Sequence, residues 1–289
     1  MHGSTHATGT RPESLRWGTI HAVLSKGSHH PLLCQLETAG RKSELWVVKP
    51  VHTTACSESR ENEQIIAELA AAEVCSWVGL ATPTTGLVRI PDQISDAELP
   101  EEHREEIGAT LKLNQGMLAF CSQHLDPAIE LDPTTVGVVA TSKEGLRALA
   151  LLFAVDSYII HDDRTIHKPN AMWWNNRVVA IDHGSAFKGL WKNGVPPEDV
   201  ARRTFRPSVV YKSHISKPHV LDADFADFQG AIAGIVEEKI QSLKGAWPVD
   251  ENAELARLRT DVIAFLVARK SYIAEFMTAT IQAAKDPCA

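Results

Sequence analysis

Nothing in the 289-residue chain approaches the ~20 continuous apolar residues that a helix needs to cross a bilayer, and Met1–Pro12 lacks the apolar core of a signal peptide. No membrane association and a cytoplasmic location are therefore expected. Cysteine is sparse: Cys34, Cys56, Cys75, Cys121 and Cys288 form no C-x-x-C pair, which fits neither a disulfide framework nor a zinc knuckle and predicts reduced thiols used in packing. Repeats and low-complexity tracts are missing, which argues against a solenoid or an array. An excess of positive charge is missing too. With 29 Lys and Arg against 36 Asp and Glu, the net charge of −7 speaks against direct nucleic-acid binding, with Arg202, Arg203 and Arg206 as one small basic cluster. What remains is 44% hydrophobic and 22% charged, the make-up of a globular protein. At about 100–200 residues per domain its length predicts one large domain or two lobes.

Along the chain, Trp17–Leu24 and Leu32–Leu36 read as strands around the turn Ser25–His30. Leu45–Lys49 reads as a third strand after a turn at Gly40. From Asn62 to Val78, Ile65, Ile66, Leu69, Val74 and Val78 recur at helical spacing, and Gly79 with Pro83 beyond it marks the end. The acidic stretch Asp92–Glu106 reads as an exposed helix or loop inserted between strands. Gly116–Cys121 is expected to be a hinge, Gly145–Ile160 an apolar helix, and His161–Asn170 a polar loop. A hairpin turning at Asn175-Asn176 follows, and then a largely helical remainder from Phe225 to Ala284. The expected fold is α+β and two-lobed: residues 1–120 form a small antiparallel-sheet lobe with one helix, residues 121–289 a mainly helical lobe, and together they make one domain.

The densest polar cluster is His161-Asp162-Asp163-Arg164-Thr165-Ile166-His167-Lys168-Pro169-Asn170, with Asp182 following at the end of the hairpin. Asp163, Asn170 and Asp182 form a hard-oxygen set suited to Mg²⁺ between phosphates. Phosphoryl transfer asks little covalent chemistry of a protein beyond aligning a hydroxyl and neutralising phosphate charge. Asp163 is placed to orient and deprotonate that hydroxyl, and Asn170 and Asp182 to hold the metal. A single Asp in such a loop more often caps a turn; the combination carries the reading. Lys49 ends an apolar strand where a charge has no packing reason to lie, and it can reach the α- and β-phosphates of ATP if an acid holds it. Glu63 is the first choice for that acid and Glu68 the second, although alone they are an ordinary strand-end lysine and ordinary helix acids. The Ser25–His30 turn can offer backbone N–H groups to phosphates through Gly27 and Ser28. With one glycine it is a weak phosphate loop, and taken by itself it reads sooner as a plain hairpin turn.

These pieces in this order resemble the HipA-like kinases of bacteria, distant relatives of protein kinases and of the phosphoinositide lipid kinases. The likeness rests on Gly27–Leu33 before Leu45–Lys49, on Asn62-Glu63 opening a helix that runs to Gly79–Pro83, and on Asp163-Arg164-Thr165 with Pro169-Asn170. Ile181-Asp182-His183-Gly184, Trp247-Pro248 and Phe265–Arg269 add to it. The resemblance implies an ATP- and Mg²⁺-dependent, protein-kinase-like enzyme that phosphorylates a Ser or Thr hydroxyl of a protein or small-molecule substrate. It makes Lys49–Glu63 the nucleotide-anchoring pair, Asp163 the catalytic aspartate, and Asn170 and Asp182 the metal ligands. Phe120 and Cys121 then present backbone groups to adenine. Family members that act as toxins and autophosphorylate a phosphate-loop serine imply an antitoxin-type partner, and single out Ser28 or Ser25. One departure stands out. The position five residues after Asp163, usually the metal-binding Asn, is Lys168, and Asn170 comes at seven.

Two other readings stay open. A pseudokinase or nucleotide-binding module is what Lys168 favours. Adjacent His161-Asp162, with His124, His167, His183 and Asp182, sketches a metal-dependent His-Asp phosphohydrolase, against which the tryptophan-bearing hairpin Ala171–Ile181 argues. Transfer of AMP uses the same metal–phosphate clamp as phosphoryl transfer and is not separable from it at this level.

Overall fold

Alternating apolar positions draw the N-terminal part of the chain into strands. In β2 (Leu32–Thr38) the residues Leu32, Cys34 and Leu36 point inward, and in β3 (Glu44–Lys49) Trp46 and Val48 do so. The computed structural model describes residues 15–24, 31–38, 43–50, 58–94, 99, 101–165, 167–192, 194–203 and 218–285. Together with β1 (Leu15–Val23), β4 (Thr85–Arg89) and β5 (Leu118–Gln123), these strands form a five-stranded antiparallel sheet in the order β1-β2-β3-β5-β4. The described residues up to Ile65, with Pro83–Leu125, make one compact unit; Ile66–Thr82, with those from Asp126 onward, make a second.

The segment expected as a hinge is instead strand β5. Phe120 pairs with Lys49 on one side and Leu87 on the other, and Cys121 with Val48 and Gly86. With a strand on either flank, the N–H and C=O groups of β5 face ladder partners, so the backbone of Phe120 and Cys121 is committed to the sheet rather than free for adenine. Both side chains are buried. The acidic insertion differs too: helix α2 (Arg104–Leu113) is amphipathic rather than merely exposed, and sets Ile107 and Leu111 into the core formed by Trp46, Val48 and Cys121. Gly27, Ser28 and the rest of the Ser25–His30 turn lie outside the described residues, as does Gly40.

Helix α1 (Glu58–Val78) runs from the first unit into the second. It ends as its sequence predicts. Gly79 adopts φ 78°, its N–H donates to the Ser76 carbonyl (3.3 Å) and that of Leu80 to the Cys75 carbonyl (2.9 Å), the paired bonds of a Schellman cap. A Cβ at Gly79 would meet nothing within 4 Å. Gly79→Ala therefore pays only the left-handed backbone cost, and a loss of about 1–2 kcal/mol is expected in denaturant titration.

The second unit is built around helix α4 (Lys143–Tyr158), capped by Ser142, whose hydroxyl accepts from the Gly145 N–H at 2.9 Å. Before it come β6 (Ile129–Glu130) and α3 (Pro133–Val139). After it come β7 (Ala171–Trp174) and β8 (Arg177–Ala180), which with β6 make a three-stranded sheet in the order β6-β7-β8. The β7–β8 hairpin turns on Asn175 and Asn176 at φ 48° and 58°, the doubly left-handed geometry of a two-residue hairpin. Helices α5 (Pro197–Ala201), α6 (Pro218–Ala233), α7 (Glu237–Gln241), α8 (Ala253–Ser271) and α9 (Ile273–Lys285) complete the unit. Phe153 meets Phe225 at 6.0 Å between centroids, and Tyr158 meets Phe276 at 5.8 Å. Trp247 is buried beside α8, and its carbonyl accepts from Arg259 at 3.1 Å.

Cys34, Cys75 and Cys121 are free thiols in the interior. Burial raises all three, Cys75 from 9.0 to about 12. A raised acid favours folding below its unfolded value and loses that contribution as pH climbs through its folded one, so Cys75 destabilises the fold progressively from pH 9.0 to about 12. Iodoacetamide at pH 8, read by peptide mapping, is expected to leave these three cysteines unmodified until the protein is unfolded.

Candidate active site

The site grows from the end of α4. Ile160 takes φ 51°, a left-handed conformation that costs a β-branched residue about 1–2 kcal/mol, and it turns the chain out of the helix into the polar loop. The His161 N–H closes that turn on the Asp156 carbonyl at 2.8 Å. Asn170 (φ 45°), Asp182 (φ 55°) and Phe187 (φ 60°) are left-handed as well. Among the described residues, every non-glycine with positive φ outside the Asn175-Asn176 turn borders this loop or the segment after β8. Strain of this kind concentrates where side chains must be aimed rather than packed.

Within the loop, Thr165 and Lys168 close a short turn, the N–H of each donating to the carbonyl of the other at 2.8 and 3.2 Å. This carries Asn170 back toward Asp163. The Asn170 Nδ2 donates to the Asp163 carbonyl at 3.3 Å and to its Oδ2 at 3.4 Å, and Lys168 Nζ lies 3.6 Å from the same Oδ2. One rung beyond the Ala171–Ala180 pair, the Ile181 N–H donates to the Asn170 carbonyl at 3.0 Å, which puts Asp182 next to the residue facing Asn170. Asp163 and Asn170 are thus in contact, and Asp182, which is exposed, leaves the neighbouring strand end.

Beneath the loop runs a buried polar chain. Asp156, on α4, is 4% exposed and accepts from Arg164 Nε at 3.0 and 2.8 Å and from His161 Nδ1 at 3.2 Å. Arg164, 0% exposed, spends Nη1 on the carbonyls of Asn170, Pro169 (3.4 Å) and Ile181 (3.3 Å), and Nη2 on His183 Nε2 at 3.0 Å. Because arginine only donates, His183 Nε2 must accept, which puts the His183 proton on Nδ1 and leaves the ring neutral. The His183 N–H donates to Glu68 Oε2 at 2.8 Å. Asp162 faces away from this chain and pairs with Lys188.

The sequence singles out Asp163, Asn170 and Asp182, but not Asp156 as their support. Its signal was there: one acid inside the apolar run Leu149–Ile160. Glu68, the second choice for Lys49, is buried and accepts from the His183 N–H. Lys49 sits in the first unit with its Nζ 5.7 Å from the Phe120 ring centroid, and Glu63 is half-buried in α1.

A family model described as HipA-like kinase matches residues 18–276, and no curated protein matches the chain. The chain belongs to the HipA-like kinase family. Membership carries the coarse activity, kinase-type phosphotransfer, and the α+β kinase-like fold. For a HipA-like kinase the His-Asp hydrolase reading falls away. His161 turns its Nδ1 inward to Asp156 while Asp162 takes Lys188, so the adjacent pair diverges. Among the described residues no group of three or more His, Cys, Asp and Glu gathers as a metal site. The side-chain oxygens of Asn170 and Asp182 nevertheless fit Mg²⁺, which commonly takes one or two protein carboxylates and completes its shell from phosphates and water. Among the described residues no helix is long and apolar enough to cross a membrane.

Proposed function

We propose that this HipA-like kinase uses ATP and Mg²⁺ to phosphorylate a serine or threonine hydroxyl, with Asp163 as the base. The observation that carries the proposal is the convergence of Asp163 and Asn170 across a loop whose floor is a buried arginine. Asp163 is partly exposed and can receive a hydroxyl proton as the new O–P bond forms and the bond between the γ-phosphorus and its bridging oxygen breaks. Asn170 and Asp182 would hold the metal, whose chemistry is to neutralise phosphate charge. Lys49, held by Glu63, would anchor the nucleotide. The test is incubation with γ-labelled ATP and Mg²⁺, reading nucleotide binding and label transfer to protein, with Asp182→Ala alongside. Label in the wild type that Asp182→Ala abolishes supports the proposal; absence of nucleotide binding overturns it.

One observation favours a second reading. Lys168 occupies the usual position of the metal-binding Asn and its ammonium lies 3.6 Å from the carboxylate of Asp163. A pseudokinase of this kind binds nucleotide and transfers no label, and α-labelled ATP separates either outcome from AMP transfer.

A further inference from the structure

Arg164 touches neither solvent nor, in the reading above, any reacting atom, yet three of the groups it engages belong to or adjoin residues that reading uses. Its Nη1 meets the carbonyl of Asn170 itself and that of Ile181, the residue before Asp182. Its Nη2 meets the ring of His183, the residue after Asp182. The Asp182 backbone is thereby gripped from both sides, and Asn170 at its own carbonyl. The guanidinium can do this because its donors are fixed in one plane and because Asp156 cancels its charge from behind. A lysine would present one ammonium and could not span the same acceptors.

We infer that Arg164, neutralised by Asp156, is the positioning residue that sets the left-handed backbones of Asn170 and Asp182 and so aims both side chains at one metal ion. This rests on the proposed metal role of those two residues. It gives Asp156 a purpose beyond charge balance: the carboxylate fixes the rotation of the guanidinium about its Nε, and with it which carbonyls the other nitrogens reach. The His161 ring donates to Oδ1 of the same carboxylate. Its Nε2 has no hydrogen-bond partner among the described residues, so Asp156 is its only polar tether there.

The experiment uses Arg164→Lys in the full chain and three readouts: thermal unfolding, amide hydrogen exchange at Ile181 without metal or nucleotide, and Mg²⁺ half-saturation of ATP binding. The expected result is a folded protein in which Ile181 exchanges about tenfold faster and Mg²⁺ half-saturation rises about tenfold, with metal-free ATP affinity unchanged. Both values within twofold of wild type in a folded variant would overturn the inference and leave Arg164 a core residue only. If Arg164→Lys does not fold, Asp156→Asn, which keeps the shape and one acceptor, decides on the same readouts. A wild type that binds no Mg²⁺-ATP defeats the functional reading, while the exchange at Ile181 still tests the positioning role.

Discussion

Asp163→Asn is expected to lower label transfer by roughly 10²–10⁴-fold while ATP affinity stays within about threefold of wild type. The amide fills the same volume and can still accept from Asn170, but it cannot take up the hydroxyl proton. The substitution also removes the contact with Lys168. That pair is 55% and 34% exposed, in the range where ion pairs contribute little to stability. The melting temperature should therefore barely move, which separates a lost base from a lost fold. Transfer within about fivefold of wild type would show that the proton leaves by another route, and would return the site to a positioning mechanism alone.

Asp156→Ala should have the largest effect on stability. It leaves the guanidinium of Arg164 buried without its countercharge, and breaking a buried pair from one side typically costs about 3–5 kcal/mol. For a chain of this size each kcal/mol lowers the melting temperature by about 2–4 °C, so a drop near ~10 °C is expected by calorimetry. The cost falls mainly on the stranded charge rather than on lost attraction, so a double variant in which Arg164 is also replaced by Met should recover part of it. A fall of less than about 2 °C for the single variant would mean that the carbonyls of Asn170, Pro169 and Ile181 suffice to hold the charge.

The parts of this fold that were legible in the sequence are those set by local rules. The end of α1 follows from Gly79, the hairpin from Asn175-Asn176, and the inward faces of β2 and β3 from alternation, because each depends on a few neighbouring residues. Gly116–Cys121 reads as a hinge because it is a short apolar run opened by a glycine, and only the two strand partners of β5, distant in sequence, decide its state. That Asp163 and Asn170 share one polar loop is read from their order; the contact between them is seen only in the fold. The chain of Asp156, Arg164 and His183 was not legible, because it joins α4, the loop and the far side of a hairpin, and no spacing rule links them.

The segments that flank the loop at 161–170 are held by residues distant in sequence. Glu68 reaches His183 across 115 positions, the Tyr158 hydroxyl donates to the Leu266 carbonyl across 108, and Arg269 donates to the Ser157 carbonyl across 112. Arg269 also gathers the carbonyls of Ala201 and Arg203 behind the end of α4. During synthesis, when the chain emerges from its N-terminal end, the candidate loop is made about 100 residues before the closures by Leu266 and Arg269 can form. The nascent protein thus carries every candidate active-site side chain before α8, which supplies Leu266 and Arg269, has been made.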